Sequence, residues 1–246
     1  MARFLRKPET RGGRKEDEPN GTDKYAARLV TVLYPMSPAS EAYRTLRTNL
    51  LYAFMDDPPQ AIVLTSPGPG EGKSTACANI GVVLAQAGKN VLIVDCDLRN
   101  AVMHKFFRLR NLYGLVDVLL GERDLKSAEA EPVEGLKVLP VGPTPHNPTE
   151  LLGTQRFTEL LTSFRKEFDY VLIDAPPVML VSDPAILATQ GDGVLLILDA
   201  QNTRKASVRQ SIRSLKVVGA NVLGTVVNNV TVSGSSLSFV GDYYYK

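Results

Sequence analysis

Tryptophan is absent from this chain of 246 residues, and only two histidines, His104 and His146, and two cysteines, Cys77 and Cys96, occur in it. No Cys/His cluster suggests a zinc site, and neither histidine is assigned as a ligand. The cysteines read as small packing residues rather than disulfide partners. Excess charge is also lacking: 28 Lys and Arg against 26 Asp and Glu leave a net charge of +2, which gives no global electrostatic argument for binding nucleic acid. No apolar run approaches the ~18–20 residues that cross a bilayer, and Met1 to Asn20 lacks the hydrophobic centre of a secretory signal. The expectation is a soluble, cytoplasmic protein without internal repeats.

What is present is enough apolar sequence for a sizeable core, 44% of the residues, arranged as short hydrophobic runs alternating with helical stretches. That alternation predicts an α/β fold: one domain with a mainly parallel sheet flanked by helices on both faces. Strands are expected at 61–65, 91–95, 136–141, 170–174, 193–198 and 222–228. Helices are expected at 41–54, 73–87, 114–120, 154–167, 183–189 and 205–218. Residues 1–36 read as a mobile extension, basic but interrupted by Glu16, Asp17, Glu18 and Asp23. The domain proper is placed at 37–230, and 231–246 as a flexible tail.

Chemistry concentrates at the ends of three strands. The run Ala61 to Leu64 enters Ser66-Pro-Gly-Pro-Gly-Glu-Gly-Lys-Ser-Thr75, a glycine-rich turn followed by a helix. Strand, turn and helix in that order are the setting of a phosphate-binding loop, in which the amides of Gly70, Glu71 and Gly72 converge on phosphate oxygens. Lys73 would reach the terminal phosphates and Ser74 would ligate Mg²⁺. The strict pattern places glycine five residues before Gly72, where this chain has Pro67. A second run, Val91 to Val94, ends in Asp95-Cys-Asp97-Leu-Arg99, and a third, Tyr170 to Ile173, ends in Asp174-Ala-Pro-Pro177. Any one strand-ending aspartate is commonly a turn former. Three strands delivering phosphate ligands or carboxylates to one edge of a parallel sheet point to a nucleotide site there.

These segments, a Walker A loop (Pro69 to Thr75), a Walker A′ strand end (Asp95, Asp97, Arg99) and a Walker B strand (Val171 to Pro177), together resemble the bacterial tyrosine kinases of capsular and exopolysaccharide synthesis. Those kinases have the P-loop NTPase fold and are related to the MinD and ParA ATPases. The resemblance runs from about Ser37 to the C-terminus. Position 68 is glycine, where the MinD and ParA relatives carry a signature lysine, which favours the kinase branch over a switch ATPase with water as acceptor.

The resemblance implies phosphoryl transfer from Mg²⁺-ATP to tyrosine. It assigns Lys73 and the loop amides to the phosphates, Thr75 to the α-phosphate, Asn228 to the adenine edge, and Ser74, Asp95 and Asp174 to Mg²⁺. Asp95 is the first candidate to orient or deprotonate the incoming phenol, and Asp97 the alternate. Arg99 either stabilises developing charge or pairs with an aspartate, and Asp183 either caps a helix or lies by the site. Asn228 at a strand end is otherwise a turn residue, and Asn147-Pro148-Thr-Glu150-Leu-Leu152 is a helix start with an Asn cap.

Glu41, Arg44 and Arg47 match the family's E-x-x-R-x-x-R assembly element, implying a ring-like homo-oligomer; the plain alternative is a solvated amphipathic helix. Tyr243, Tyr244 and Tyr245 stand consecutively in a tail after a Ser- and Gly-containing stretch, as phosphoacceptors or as an aromatic patch that docks. Residues 231–244, fully extended, span roughly 45–50 Å, enough to reach a neighbour's site. The family also implies a separate membrane-spanning activator that recruits the protein to the inner face of the membrane, and protein tyrosine substrates in trans.

Overall fold

The computed structural model describes residues 21–54 and 58–231. Three helices lead the chain: α1 (Gly21–Ala26), α2 (Val30–Leu33) and α3 (Pro38–Tyr52). Then follow β1 (Ala61–Thr65), α4 (Lys73–Ala85), β2 (Val91–Asp95), α5 (Met103–Phe106), α6 (Leu115–Leu120), α7 (Leu125–Ala128), β3 (Ala130–Val133) and β4 (Leu136–Leu139). The chain continues through α8 (Pro148–Leu152), α9 (Gln155–Glu167), β5 (Tyr170–Asp174), α10 (Asp183–Gln190), β6 (Gly193–Asp199), α11 (Lys205–Val217) and β7 (Val222–Asn228).

The strands form one sheet in the order β3-β4-β2-β5-β1-β6-β7, parallel throughout except for the β3–β4 pair. β1, β2 and β5 are fully buried five-residue strands, aliphatic except for Thr65, Asp95, Tyr170 and Asp174, as central parallel strands covered on both faces are. One face packs the core of α6, α9, α10 and α11 around Leu92, Val94, Phe157 and Phe164. The other packs α3, α4 and α5 around Ile62, Ile80, Ile93 and Phe106. Helix α4 lies so close to the sheet that a Cβ on Gly81 would fall 2.6 Å from Ile93 Cδ1. The register then fixes the site: Leu64 of β1 and Asp95 of β2 both stand opposite Asp174 of β5, so the three strands end together.

Two expectations change. The antiparallel edge strand β3 contains Pro132, which an edge strand tolerates and a central one does not. The extension expected over 1–36 gives way from residue 21 onward to α1 and α2, which pack on the domain with Ala26 and Leu29 buried. Tyr25 meets Phe106 edge-on at 5.3 Å. The Asn79 amide of α4 donates to the Arg28 carbonyl and accepts from Thr31 N and Oγ1. Helices this short are held by such contacts rather than by their own propensity, which is why composition did not reveal them. The tail tyrosines Tyr243 to Tyr245 lie outside the described residues.

Candidate active site

The loop between β1 and α4 is built on glycines with left-handed backbones, Gly70 (φ 78°) and Gly72 (φ 90°). At Gly72 a side chain is excluded twice, by φ and because its Cβ would lie 2.1 Å from Asn228 Nδ2. The residue between them, Glu71, turns its side chain inward: Oε1 accepts from Thr203 Oγ1 at 2.8 Å, and Asn228 Nδ2 donates to the Glu71 carbonyl at 3.4 Å. Thr203 and Asn228 thus brace the loop from behind. Helix α4 starts directly after it, with its first amides and its dipole facing the cleft.

Lys73 bridges two of the expected carboxylates. Its Nζ lies 2.8 Å from Asp97 Oδ2 and 3.5 Å from Asp174 Oδ1. Burial alone would lower the lysine's pKa, but the charges of Asp174 and Asp97 outweigh it and leave the value raised, so the amine is a fixed cation.

Asp174 has no exposed surface, and neither of its oxygens has a hydrogen-bond partner. Burial raises its pKa, and neighbouring Lys73 offsets this only in part. Asp95 is equally buried but satisfied: Oδ1 accepts from Asp97 N at 3.2 Å, and Oδ2 accepts from Val102 N at 3.1 Å and Met103 N at 3.0 Å. Burial, and then the charge of Asp174, push the Asp95 carboxyl up to about 8.

A cleft of about 310 Å³ opens over Gly70, Lys73, Ser74 and Thr75, and Asp97 lines it. Asp95 does not line it but holds the turn behind, while Asp97, on the wall, accepts from Lys73 Nζ and from Asn100 N. A buried carboxylate whose oxygens accept no hydrogen bond from the protein backbone, beside a loop hydroxyl, fits a hard cation, so Ser74 and Asp174 can hold Mg²⁺. The expected third ligand, Asp95, has both oxygens engaged with backbone N–H groups. Asn228 lines a different cavity, between α3 and β7.

Arg99 pairs with Asp183 (Nε to Oδ2, 3.1 Å) and donates to Thr149 Oγ1 at 3.0 Å, while that hydroxyl donates to Asp183 Oδ1. Its aspartate partner is therefore Asp183, fully buried at the head of α10, and the segment opening α8 enters the site through Thr149. Asn147 precedes α8 without a side-chain cap bond; its amide goes to Glu150 Oε2 instead.

On α3, Arg44 pairs with Glu41 and donates to the Pro35 carbonyl, while Arg47 Nη1 turns inward to the Val83 carbonyl at 3.4 Å. The three do not form a single outward row. Thr203 was missed in the sequence, as were Tyr25 and Arg28, which line the cleft from the N-terminal segment. For Thr203 a local signal existed, the Asp199-x-x-x-Thr203 turn after β6.

A parallel sheet with a glycine-strained loop, an N-terminal helix dipole and a lysine set between two carboxylates defines a P-loop NTPase, and residues 59–224 match the family described as an AAA domain. Over 208 residues, 84% of this chain, it is 39% identical to the putative tyrosine-protein kinase EpsB of Ralstonia nicotianae, of whose length the chain covers 28%. Tyrosine-protein kinase YwqD of Bacillus subtilis is 37% identical over 92% of this chain and 94% of its own. The crystal structure of the chimerical protein CapA2B2 superposes with a TM-score of 0.81 at 36% identity, covering 84% of this chain and 91% of that one. The chain belongs to the family of bacterial tyrosine-protein kinases.

Proposed function

We propose that this chain is an ATP-dependent protein-tyrosine autokinase whose acceptors are Tyr243, Tyr244 and Tyr245, acting in capsular or exopolysaccharide synthesis. The observation that carries the reading is the Lys73 ammonium held between Asp97 and the fully buried Asp174 at the mouth of the loop.

In phosphoryl transfer the protein mainly positions groups and stabilises charge. The amides of Gly70 to Gly72 and the Lys73 ammonium hold the β- and γ-phosphates, and Thr75 the α-phosphate. Ser74 and Asp174 would hold Mg²⁺, whose charge would offset that of the transferring group. A tyrosine oxygen bonds to the γ-phosphorus as the bond to the β–γ bridging oxygen breaks and ADP leaves. The phenolic proton passes to a carboxylate, because a free phenol near pKa 10 is a weak nucleophile at neutral pH. Asp97 is the carboxylate on the cleft wall, and Asp95 fixes the turn that carries it.

The partners proposed are a separate membrane-spanning activator, which brings the chain to the inner face of the membrane, and further copies of the chain, which present tails in trans. Glu41 and Arg44 are offered as the assembly contact, with Arg47 supporting α3 against α4. Names of relatives support the reading: tyrosine-protein kinases CpsD of Streptococcus agalactiae and YwqD.

The test is incubation with Mg²⁺-ATP, with and without an activator's cytoplasmic segment, followed by intact and peptide mass spectrometry. Phosphate on Tyr243 to Tyr245 that is lost by at least about 10²-fold in Lys73→Met is expected. ADP release with an unmodified tail under both conditions would assign the chain to the switch ATPases instead.

A further inference from the structure

The cleft is lined by two unlike sets of groups. One is the charged cradle of loop amides, Lys73 and Ser74. The other is apolar: Tyr25, Phe106, Pro176, Pro177 and Leu180. The phosphates of a nucleotide would engage the first set and have no use for the second. Leu180 is 61% exposed, an aliphatic side chain left at the lip of a cleft. Tyr25 belongs to the N-terminal segment, which Asn79 ties to α4 through three hydrogen bonds. Its ring is therefore held in place, set edge-on against Phe106. Two cations, Arg28 and Lys105, lie 5.7 and 5.4 Å from its centre.

We propose that Tyr25, Arg28 and Leu180 build the acceptor half of this cleft: Tyr25 and Leu180 flank a slot for the ring of an incoming tyrosine, and Arg28 meets an acidic residue just before it. The proposal rests on the tyrosyl-transfer reading and names its substrate subsite. A flat ring between an aromatic edge and proline and leucine faces is a favourable packing, and it points the phenol oxygen inward to Asp97. Charge agrees as well: Asp242 immediately precedes Tyr243 in this chain's own sequence, opposite in sign to Arg28. Tyr25 and Leu180 act as binding residues and Arg28 as a positioning residue.

The test uses the full chain with Tyr243, Tyr244 and Tyr245 changed to Phe, so that only added acceptor is labelled. The acceptor is a synthetic peptide copying residues 238–246, with the activator's cytoplasmic segment present. Tyr25→Ala is expected to raise the peptide KM about tenfold while the dissociation constant for Mg²⁺-ATP stays within about twofold, and Tyr25→Phe to keep the original KM. Leu180→Asp, at an exposed position where folding is not at stake, is expected to raise KM by a similar factor. Arg28→Glu should raise KM for this peptide but not for one carrying Asn in place of Asp242.

Unchanged peptide KM in both Tyr25→Ala and Leu180→Asp overturns the proposal and leaves the kinase reading standing. So does a loss confined to nucleotide affinity, which would make the apolar set a base site. If the unsubstituted cleft transfers phosphate to no tyrosine peptide while hydrolysing ATP, the kinase reading falls and the subsite with it.

Discussion

The turns that follow β2 and β5 start from the same position and end differently. Asp95 and Asp174 face each other in register, both without exposed surface. Asp95 is gripped by backbone N–H groups of residues 97, 102 and 103, while Asp174 accepts none from the backbone and has only the Lys73 ammonium, 3.5 Å away, as its charge partner. The turn after β2 is thus finished by the protein itself, and its carboxylate serves the fold. The turn after β5, Ala175-Pro176-Pro177, has no N–H at either proline and leaves its carboxylate for something else. Burying an unpartnered polar group is costly, so a group kept in that state marks where a ligand completes the structure.

The comparison is broken most severely by exchanging each acid for its amide. Asp174→Asn is expected to lower phosphate transfer by roughly 10²–10³-fold. In the metal-free protein it should raise the melting temperature, by about 2–4 °C for each kcal/mol of relieved charge burial. Melting curves in EDTA and in Mg²⁺-ATP check both signs, since the stabilisation by Mg²⁺-ATP should shrink in the variant.

Asp95→Asn is expected to act the other way on the fold. An amide turns N–H groups toward backbone donors and forfeits about 1–3 kcal/mol, which the same melting experiment reads as a fall. Equal behaviour of the two variants would erase the distinction.

A smaller effect is expected from pH. Burial raises Asp95 to about 8 and raises Asp174 as well, above the ~3.9 of an unfolded chain. The folded metal-free protein therefore binds more protons than the unfolded one. The associated stability is full below about pH 4 and is lost as pH climbs through about 8. Melting temperature in EDTA should fall between pH 6 and 9 on this account, by less in Asp174→Asn, while Mg²⁺-nucleotide flattens the slope. A flat profile in EDTA would show that the two carboxylates are ionised throughout this range.

The parallel strands and the loop were legible because fully buried strands leave short aliphatic runs, and because the residues that end them, Lys73, Asp95 and Asp174, are polar types that such runs do not otherwise carry. Local pattern does not reveal which carboxylate the backbone satisfies. The N–H groups that hold Asp95 come from positions 97, 102 and 103, and only the folded turn brings the last two back to it. Arg99 is harder still, since its partners Thr149 and Asp183 arrive from α8 and α10. Helices α1 and α2 left no trace in composition because their order is owed to Asn79 and Phe106. The side chain of Glu71, on which the loop pattern is silent, turns toward Thr203.

Asn79 gives the molecule a mechanical property. The same amide that binds the Arg28 carbonyl also donates to Thr75 O, one turn back on the phosphate helix. A pull on the chain ahead of Gly21 would therefore load that helix through Asn79, alongside the packing of Tyr25 on Phe106. Anything tethered to the N-terminus holds a short lever on the loop that grips phosphate.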